Sequence, residues 1–256
     1  MIESICPFGM IPVRQEPSEL SELETQVLFG EVFHVLESIP GWCRIKLEYD
    51  SYEGWVDEKT VIPVSKRETE KWLLSKGTII STPYIKLIRE PEKSVQIISG
   101  GSRIVFNGED SNSVVIGKRE FYLQGALPTR KPDLEEVAKS YLNTPYLWGG
   151  RTFFGIDCSG LAQSVFKIMD KAIPRNASQQ VECGEIVNFV EEAGPGDLAF
   201  FDNSKGDITH VGICLGYGRI LHSSVEVRID HLDHQGIFNR EMQKYTHHLR
   251  VIKRII

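Results

Sequence analysis

Hydrophobic residues in the first half of the chain fall into short runs alternating with polar ones, the two-residue period of half-buried strands. Six runs lie between residues 11 and 64: Ile11–Arg14, Gln26–Phe29, Val32–Glu37, Trp42–Leu47, Gly54–Val56 and Val61–Val64. Turn-forming stretches such as Glu16-Pro17-Ser18 and Ile39-Pro40-Gly41 separate them, and the spacing predicts a small β-barrel. A weak repeat follows. Val13-Arg14-Gln15-Glu16-Pro17 is answered by Ile88-Arg89-Glu90-Pro91, and Leu28–Phe33 by Ser99–Ile104, so residues 75–128 read as a second barrel. That copy lacks the Gly54-Trp55-Val56 of the first, which suggests a spacer. Lys66–Ser75 between them reads as a short helix or an adapted linker.

The period changes after the basic hinge Pro128-Thr-Arg-Lys-Pro132. Asp133 opens an amphipathic helix with Leu134, Val137, Ala138, Tyr141 and Leu142 on one face. A second helical pattern, Leu161, Val165, Ile168 and Met169, follows Cys158 and ends near Lys171. After Glu191 come strands: Asp197–Phe201, His210–Leu215, Arg219–Ser223, Val225–Asp230 and His248–Ile256. Helices followed by antiparallel strands give an α+β domain. The expected division is residues 1–65, 66–130 and 131–256.

Composition narrows the function. The net charge of −6 comes with no basic stripe, which argues against nucleic acid as a partner. No apolar stretch approaches transmembrane length, and Met1–Met10 lacks a basic-then-apolar leader, so no membrane partner and a cytoplasmic location are expected. A periplasmic or extracellular location remains open if a leader has been removed. The 5 cysteines include no C-x-x-C pair and form no disulfide framework. Cys43 and Cys214 read as small buried hydrophobes, and Cys6 and Cys183 are left open.

Cys158 stands apart. In Gly155-Ile-Asp-Cys-Ser-Gly-Leu161 it falls in the first turn of a helix, where free N–H groups and the helix dipole favour a thiolate. A cysteine nucleophile needs a histidine base, and that base needs a polar orienter. His210 opens a strand after a polar loop, and His222 lies on the next strand across the Gly216-Tyr217-Gly218 turn, so a hairpin brings the two together. His34, His231, His234, His247 and His248 read as ordinary structural histidines, and no metal site is expected from their spacing.

These residues also carry a resemblance. Tyr146-Leu-Trp-Gly-Gly150, Gly155-x-Asp157-Cys158-Ser159-Gly160, Ile173-Pro-Arg175, Ser178-Gln179, Pro195–Phe201, His210-Val-Gly-Ile213 and Ile220-Leu-His222 resemble the NlpC/p60 cysteine peptidases, in order across residues 133–230. The N-terminal barrels resemble bacterial SH3-like domains. The whole is similar to γ-D-glutamyl-L-diamino acid endopeptidases of the dipeptidyl-peptidase VI type. The resemblance implies a papain-like peptidase domain behind two small all-β SH3-like barrels. In it Cys158 is the nucleophile, His210 the base, His222 the orienter and Tyr146 an oxyanion donor. It further implies a murein tripeptide or tetrapeptide substrate, L-Ala-γ-D-Glu-L-Lys or its diaminopimelate counterpart, cut to release L-Ala-D-Glu. Asp157 would meet the substrate's free amine, helped from the first barrel by Glu22, or by Glu24 two residues on, and by Tyr52. Ser159 and Ser178 would meet the D-glutamyl carboxylate, and Trp148 would line the groove. A monomer without cofactor or metal is expected. Two other readings are a wall-binding protein with an inactive peptidase domain and a papain-like acyltransferase.

Overall fold

The computed structural model describes residues 2–108 and 112–255. It divides into two compact units, residues 1–131 and 132–256.

In the first unit, β1 (Ile2–Ile5), β2 (Met10–Arg14), β3 (Leu23–Leu28), β4 (Val32–Ile39), β5 (Trp42–Leu47), β6 (Glu53–Asp57) and β7 (Pro63–Val64) make one sheet. Its order is β3-β2-β6-β5-β4-β1-β7. Alternation sends Ile11, Val13, Val27, Phe33, Val35, Cys43, Ile45, Leu47 and Val56 into one core, together with Cys6. Strand β1 was not legible in the sequence because its buried positions include a serine. The Ser4 hydroxyl donates to the Ile62 carbonyl at 2.8 Å, which satisfies a polar group that hydropathy assigns to solvent.

Helix α1 (Lys66–Leu74) is capped by Ser65, whose hydroxyl accepts the Glu68 N–H at 3.2 Å. After it come β8 (Thr78–Ile79), β9 (Tyr84–Arg89), β10 (Ser94–Ser99), β11 (Arg103–Ile104), β12 (Ser113–Ile116) and β13 (Arg119–Gln124). They form a four-stranded sheet, β10-β9-β13-β12, and a two-stranded ladder of β8 and β11. The second barrel does not own its core. Leu87, Ile98, Ile104, Val114, Ile116 and Phe121 pack with Ile5, Phe29 and Val32 of the first sheet and with Trp72 of α1. The Trp72 indole N–H donates to the Gly30 carbonyl at 2.9 Å. Short strands this few cannot cover their own inner face, so residues 1–65 and 66–130 fuse into one unit.

In the second unit α2 (Leu134–Lys139) starts where Asp133 places it. The Asp133 side chain accepts the Glu136 N–H, and the Glu136 side chain accepts the Asp133 N–H, a full capping box. The helix stops before Tyr141 and Leu142, which lie in the following turn. A short hairpin of β14 (Arg151–Thr152) and β15 (Gly155–Ile156) leads into α3 (Cys158–Ile168), every residue of which is buried. Then come α4 (Ala177–Gln180), β16 (Glu185–Val187), β17 (Leu198–Asp202), β18 (Ile208–Gly216), β19 (Arg219–Ser224), β20 (Glu226–Leu232), β21 (Gly236–Asn239) and β22 (Lys244–Arg254).

The sheet order is β16-β22-β17-β18-β19-β20-β21, and β22 also pairs with β21. The long β22 therefore closes the sheet on itself, one half against β21 and the other against β17 and β16. Ala199, Phe201, Cys214, Ile220, Leu232, Ile237 and Ile252 fill the enclosed core, while α3 packs against β18 and β19. Among the described residues no helix is long and apolar enough to cross a membrane.

The shared core of the first unit gives a direct test. Trp72→Ala should cost about 3–5 kcal/mol of stability, read from the urea unfolding midpoint of that unit. A loss below ~1 kcal/mol would mean that the second module does not lean on the first.

Candidate active site

Cys158 is the first residue of α3 and 7% exposed. The loop before it lies tight against the helix start: a Cβ on Gly160 would come within 2.2 Å of the Gly150 carbonyl oxygen. Asp157 is the N-cap and organises this junction. Its Oδ1 accepts the Gly160 N–H at 2.6 Å, the Ser159 hydroxyl at 3.2 Å and Arg175 Nη1 at 3.0 Å. Its Oδ2 accepts the Gly149 N–H at 2.8 Å and Arg175 Nη2 at 2.6 Å. A carboxylate offers about four lone-pair sites, so these contacts saturate it. Asp157 thus has a structural role at this junction. The carboxylate neutralises the buried Arg175 and ties the 147–150 loop to α3.

Ser159 sits in the same network. Its hydroxyl accepts from Arg175 Nη1 at 2.8 Å and donates to Asp157, and its carbonyl accepts the Gln180 side chain at 3.0 Å. That last bond fixes α4 beside the nucleophile. Ser178 on α4 is exposed and does not cap it, since Asn176 holds the cap position. Trp148 is 57% exposed on the neighbouring loop. Tyr146 is half-buried. Burial and the nearby Cys158 and Asp157 push its phenol up to about 12, so it keeps its proton and can donate.

The base sits on the closed sheet. Gly212 on β18 lies opposite His222 on β19, which sets His210 diagonally across from His222. Gly212 is required there, because a Cβ would come within 2.6 Å of Ile220 and 3.1 Å of the His222 Cβ. His210 Nε2 lies 2.9 Å from His222 Nδ1, and His222 Nε2 lies 3.1 Å from Asp230 Oδ2. Arg228 grips the same carboxylate with Nε at 2.8 Å and Nη2 at 3.1 Å, and its Nη1 reaches Glu241 at 3.3 Å. Burial raises the Asp230 pKa, but the bonds from His222 and Arg228 outweigh it and hold the carboxyl below its usual range.

These bonds have a direction. An ionised carboxylate only accepts, so His222 donates to it from Nε2, and a ring carrying that one proton presents a bare Nδ1. That Nδ1 in turn requires His210 to donate from Nε2, which leaves the lone pair of His210 on Nδ1. The sulfur of Cys158 meets the backbone N–H groups of Ser159 and of Val211, the residue after His210. A base with its free nitrogen fixed therefore stands in the strand that the nucleophile touches.

The resting protonation state differs from the sequence expectation. Burial, joined by the Asp157 charge, pushes the Cys158 thiol up to about 12. The Ser159 and Val211 N–H groups on the sulfur and the nearby Arg175 pull the other way without offsetting burial. Burial and the neighbouring His247 and His222 hold His210 well below the ordinary imidazole value. Both shifts favour the uncharged forms, a thiol and a neutral imidazole, and with them proton transfer during attack.

Several members of the site were missed. Asp230 and Arg228 share a face of β20 at the alternation spacing, which was a usable signal. Arg175 lies in the Ile173-Pro-Arg175 motif, but its charge had been given no partner. His247, read as structural, stacks on His210 with ring centroids 4.1 Å apart, and its ring centroid is 5.6 Å from that of His222. Only closure of the sheet by β22 brings it there. His231 lies 4.0 Å from Asp233 and His34 bonds Glu48 at 2.9 Å, outside this cluster. In the first unit the Tyr52 hydroxyl donates to Glu24, and Glu22 is exposed, its carbonyl accepting the Gln15 N–H.

Comparison with known proteins agrees with this geometry. The NlpC/P60 family profile matches residues 143–250, and the bacterial dipeptidyl-peptidase SH3 domain profile matches residues 13–61. The γ-D-glutamyl-L-lysine dipeptidyl-peptidase of Bacillus subtilis (strain 168) is 30% identical over 227 residues, covering 78% of this chain and 72% of the relative. Dipeptidyl-peptidase 6 of Lysinibacillus sphaericus is 25% identical over 249 residues, covering 86% and 88%. An NlpC/P60 family crystal structure from Bacillus cereus ATCC 10987 shares the fold, with a TM-score of 0.83 at 21% identity over 98% of this chain and 99% of that one. A cysteine at a helix start, a histidine relay on a closed sheet and an SH3-like module ahead of them place the chain in the NlpC/P60 family of cysteine peptidases.

Proposed function

We propose that the protein hydrolyses the bond between γ-D-glutamate and a diamino acid in murein peptides, releasing L-Ala-D-Glu during peptidoglycan turnover or recycling. The observation that carries this is the directed relay from Asp230 through His222 to His210 beside Cys158. The relatives named for dipeptide release give the substrate class. An inactive wall-binding domain would have no need of such a relay.

The chemistry follows from the residues. The Cys158 thiol gives its proton to His210 Nδ1 as the sulfur attacks the γ-carbonyl carbon of the D-glutamyl residue. The oxyanion so formed accepts the Cys158 backbone N–H and the Tyr146 hydroxyl. Each such donor typically contributes ~10²–10³ in rate. Collapse breaks the C–N bond, and the leaving amine takes the proton from His210. Water then gives a proton to His210 and attacks the thioester; the proton returns to the departing sulfur, restoring the thiol. The imidazolium that forms twice in the cycle is stabilised through His222 by the Asp230 charge.

Release of a dipeptide requires a free N-terminal amine on the substrate. A carboxylate must supply its counter-charge, because a buried ammonium group without one is costly. Ser178, exposed on α4, offers a hydroxyl for the glutamyl carboxylate.

Incubation with L-Ala-γ-D-Glu-L-Lys and with its diaminopimelate counterpart should yield L-Ala-D-Glu from at least one of them. Cys158→Ala should abolish release, and acetylation of the alanine amine should suppress it. Cleavage of neither peptide would overturn the proposal, and equal rates on free and acetylated peptides would remove the amine requirement. In the same assay Asp230→Asn should lower kcat by the order of 10²–10⁴ with KM changed by less than about twofold, because it frees His222 to adopt the wrong tautomer. An unchanged kcat would show that the carboxylate does not direct the relay.

A further inference from the structure

His210, His222 and His247 each offer one ring nitrogen, and these nitrogens lie within 4.8 Å of one another. They come from β18, β19 and β22, and only His210 and His222 serve the peptidase chemistry described above. The geometry points to a second property of this cluster: it is an inhibitory binding site for a divalent transition ion of the Zn²⁺ type.

Each part of such a site has a structural basis. Imidazole is a favoured ligand of Zn²⁺ and its neighbours in the first transition row, and three histidines with an open fourth position form a known zinc set. Without an oxygen donor among them, the three give no hold to Mg²⁺ or Ca²⁺. His222 has the outer partner that orients a metal-binding histidine, since its Nε2 is tied to Asp230 at 3.1 Å while Nδ1 faces the cluster. His247 has one too: its Nδ1 lies 2.9 Å from the Thr246 hydroxyl, which leaves Nε2 free.

Donors on a tetrahedral zinc with bonds near 2.0–2.1 Å stand about 3.3 Å apart. The His210 and His222 nitrogens, 2.9 Å apart, need only a small separation. His247 is half-buried and must tilt out of its stack on His210 to bring Nε2 in.

Binding would stop peptide hydrolysis without touching Cys158. The ion takes the Nδ1 lone pair of His222, which now accepts the His210 proton. It also takes Nε2 of His210, whose proton moves to Nδ1. That Nδ1 can no longer accept the thiol proton, and the bond that passes the Asp230 charge to the base is broken.

The test avoids activity, because thiols bind zinc unaided. Cys158→Ser protein is titrated with Co²⁺ and its visible absorption recorded. We expect the d–d bands of four-coordinate, nitrogen-bound cobalt, displaced by Zn²⁺. Adding His247→Phe should weaken Co²⁺ affinity by more than about tenfold, at least what loss of an outer partner alone costs. If that variant does not fold by circular dichroism, His247→Gln, which keeps the bulk but not the imidazole, serves for the same comparison. Absence of the bands at millimolar Co²⁺, or bands and affinity unaltered by loss of His247, would overturn the proposal.

Discussion

The hydrogen bond between His222 Nε2 and Asp230, at 3.1 Å, fixes the chemistry of the catalytic unit. Imidazole has two nitrogens that exchange roles when its proton moves, so a bare pair of histidines has no preferred direction. The carboxylate breaks that symmetry, and its effect passes through the 2.9 Å contact to His210. The base is then defined at a single atom, Nδ1. Arg228 keeps the carboxylate charged despite its burial, so the direction does not reverse near neutral pH.

Two pieces of scaffold make that bond useful. Strand β22 closes the sheet and encloses the cluster with Phe201, whose ring lies 5.7 Å from that of His210 and 5.8 Å from that of His247. The Asp157–Arg175 pair holds the nucleophile's end of the site. Both partners are buried, and such a pair is costly to break because removing one leaves the other charged and unpaired. Its function here is to lock α3, α4 and the 147–150 loop around Cys158. Burial outweighs the Ser159 N–H in raising the Cys158 thiol, so the neutral His210 base has to accept its proton during attack.

Much of the fold was legible because it is local. The alternation of β2 to β6, the Asp133 capping box and the hairpin joining His210 to His222 are written within a dozen residues of sequence. What escaped is non-local or polar. Strand β1 hides its burial behind Ser4, and the merging of the two barrels depends on Trp72 reaching Gly30 across 42 positions. The structural role of Asp157 was hidden because its partner Arg175 lies 18 residues on. His247 could not be placed at all without knowing that the sheet closes.

The account turns on which nitrogens carry protons, and that can be observed. Long-range ¹H–¹⁵N correlation spectra of the histidine side chains at neutral pH report the tautomer of each ring. The account predicts His222 protonated on Nε2 with a bare Nδ1, and His210 likewise neutral with its proton on Nε2. A His222 protonated on Nδ1, or a His210 whose proton rests on Nδ1, would contradict it.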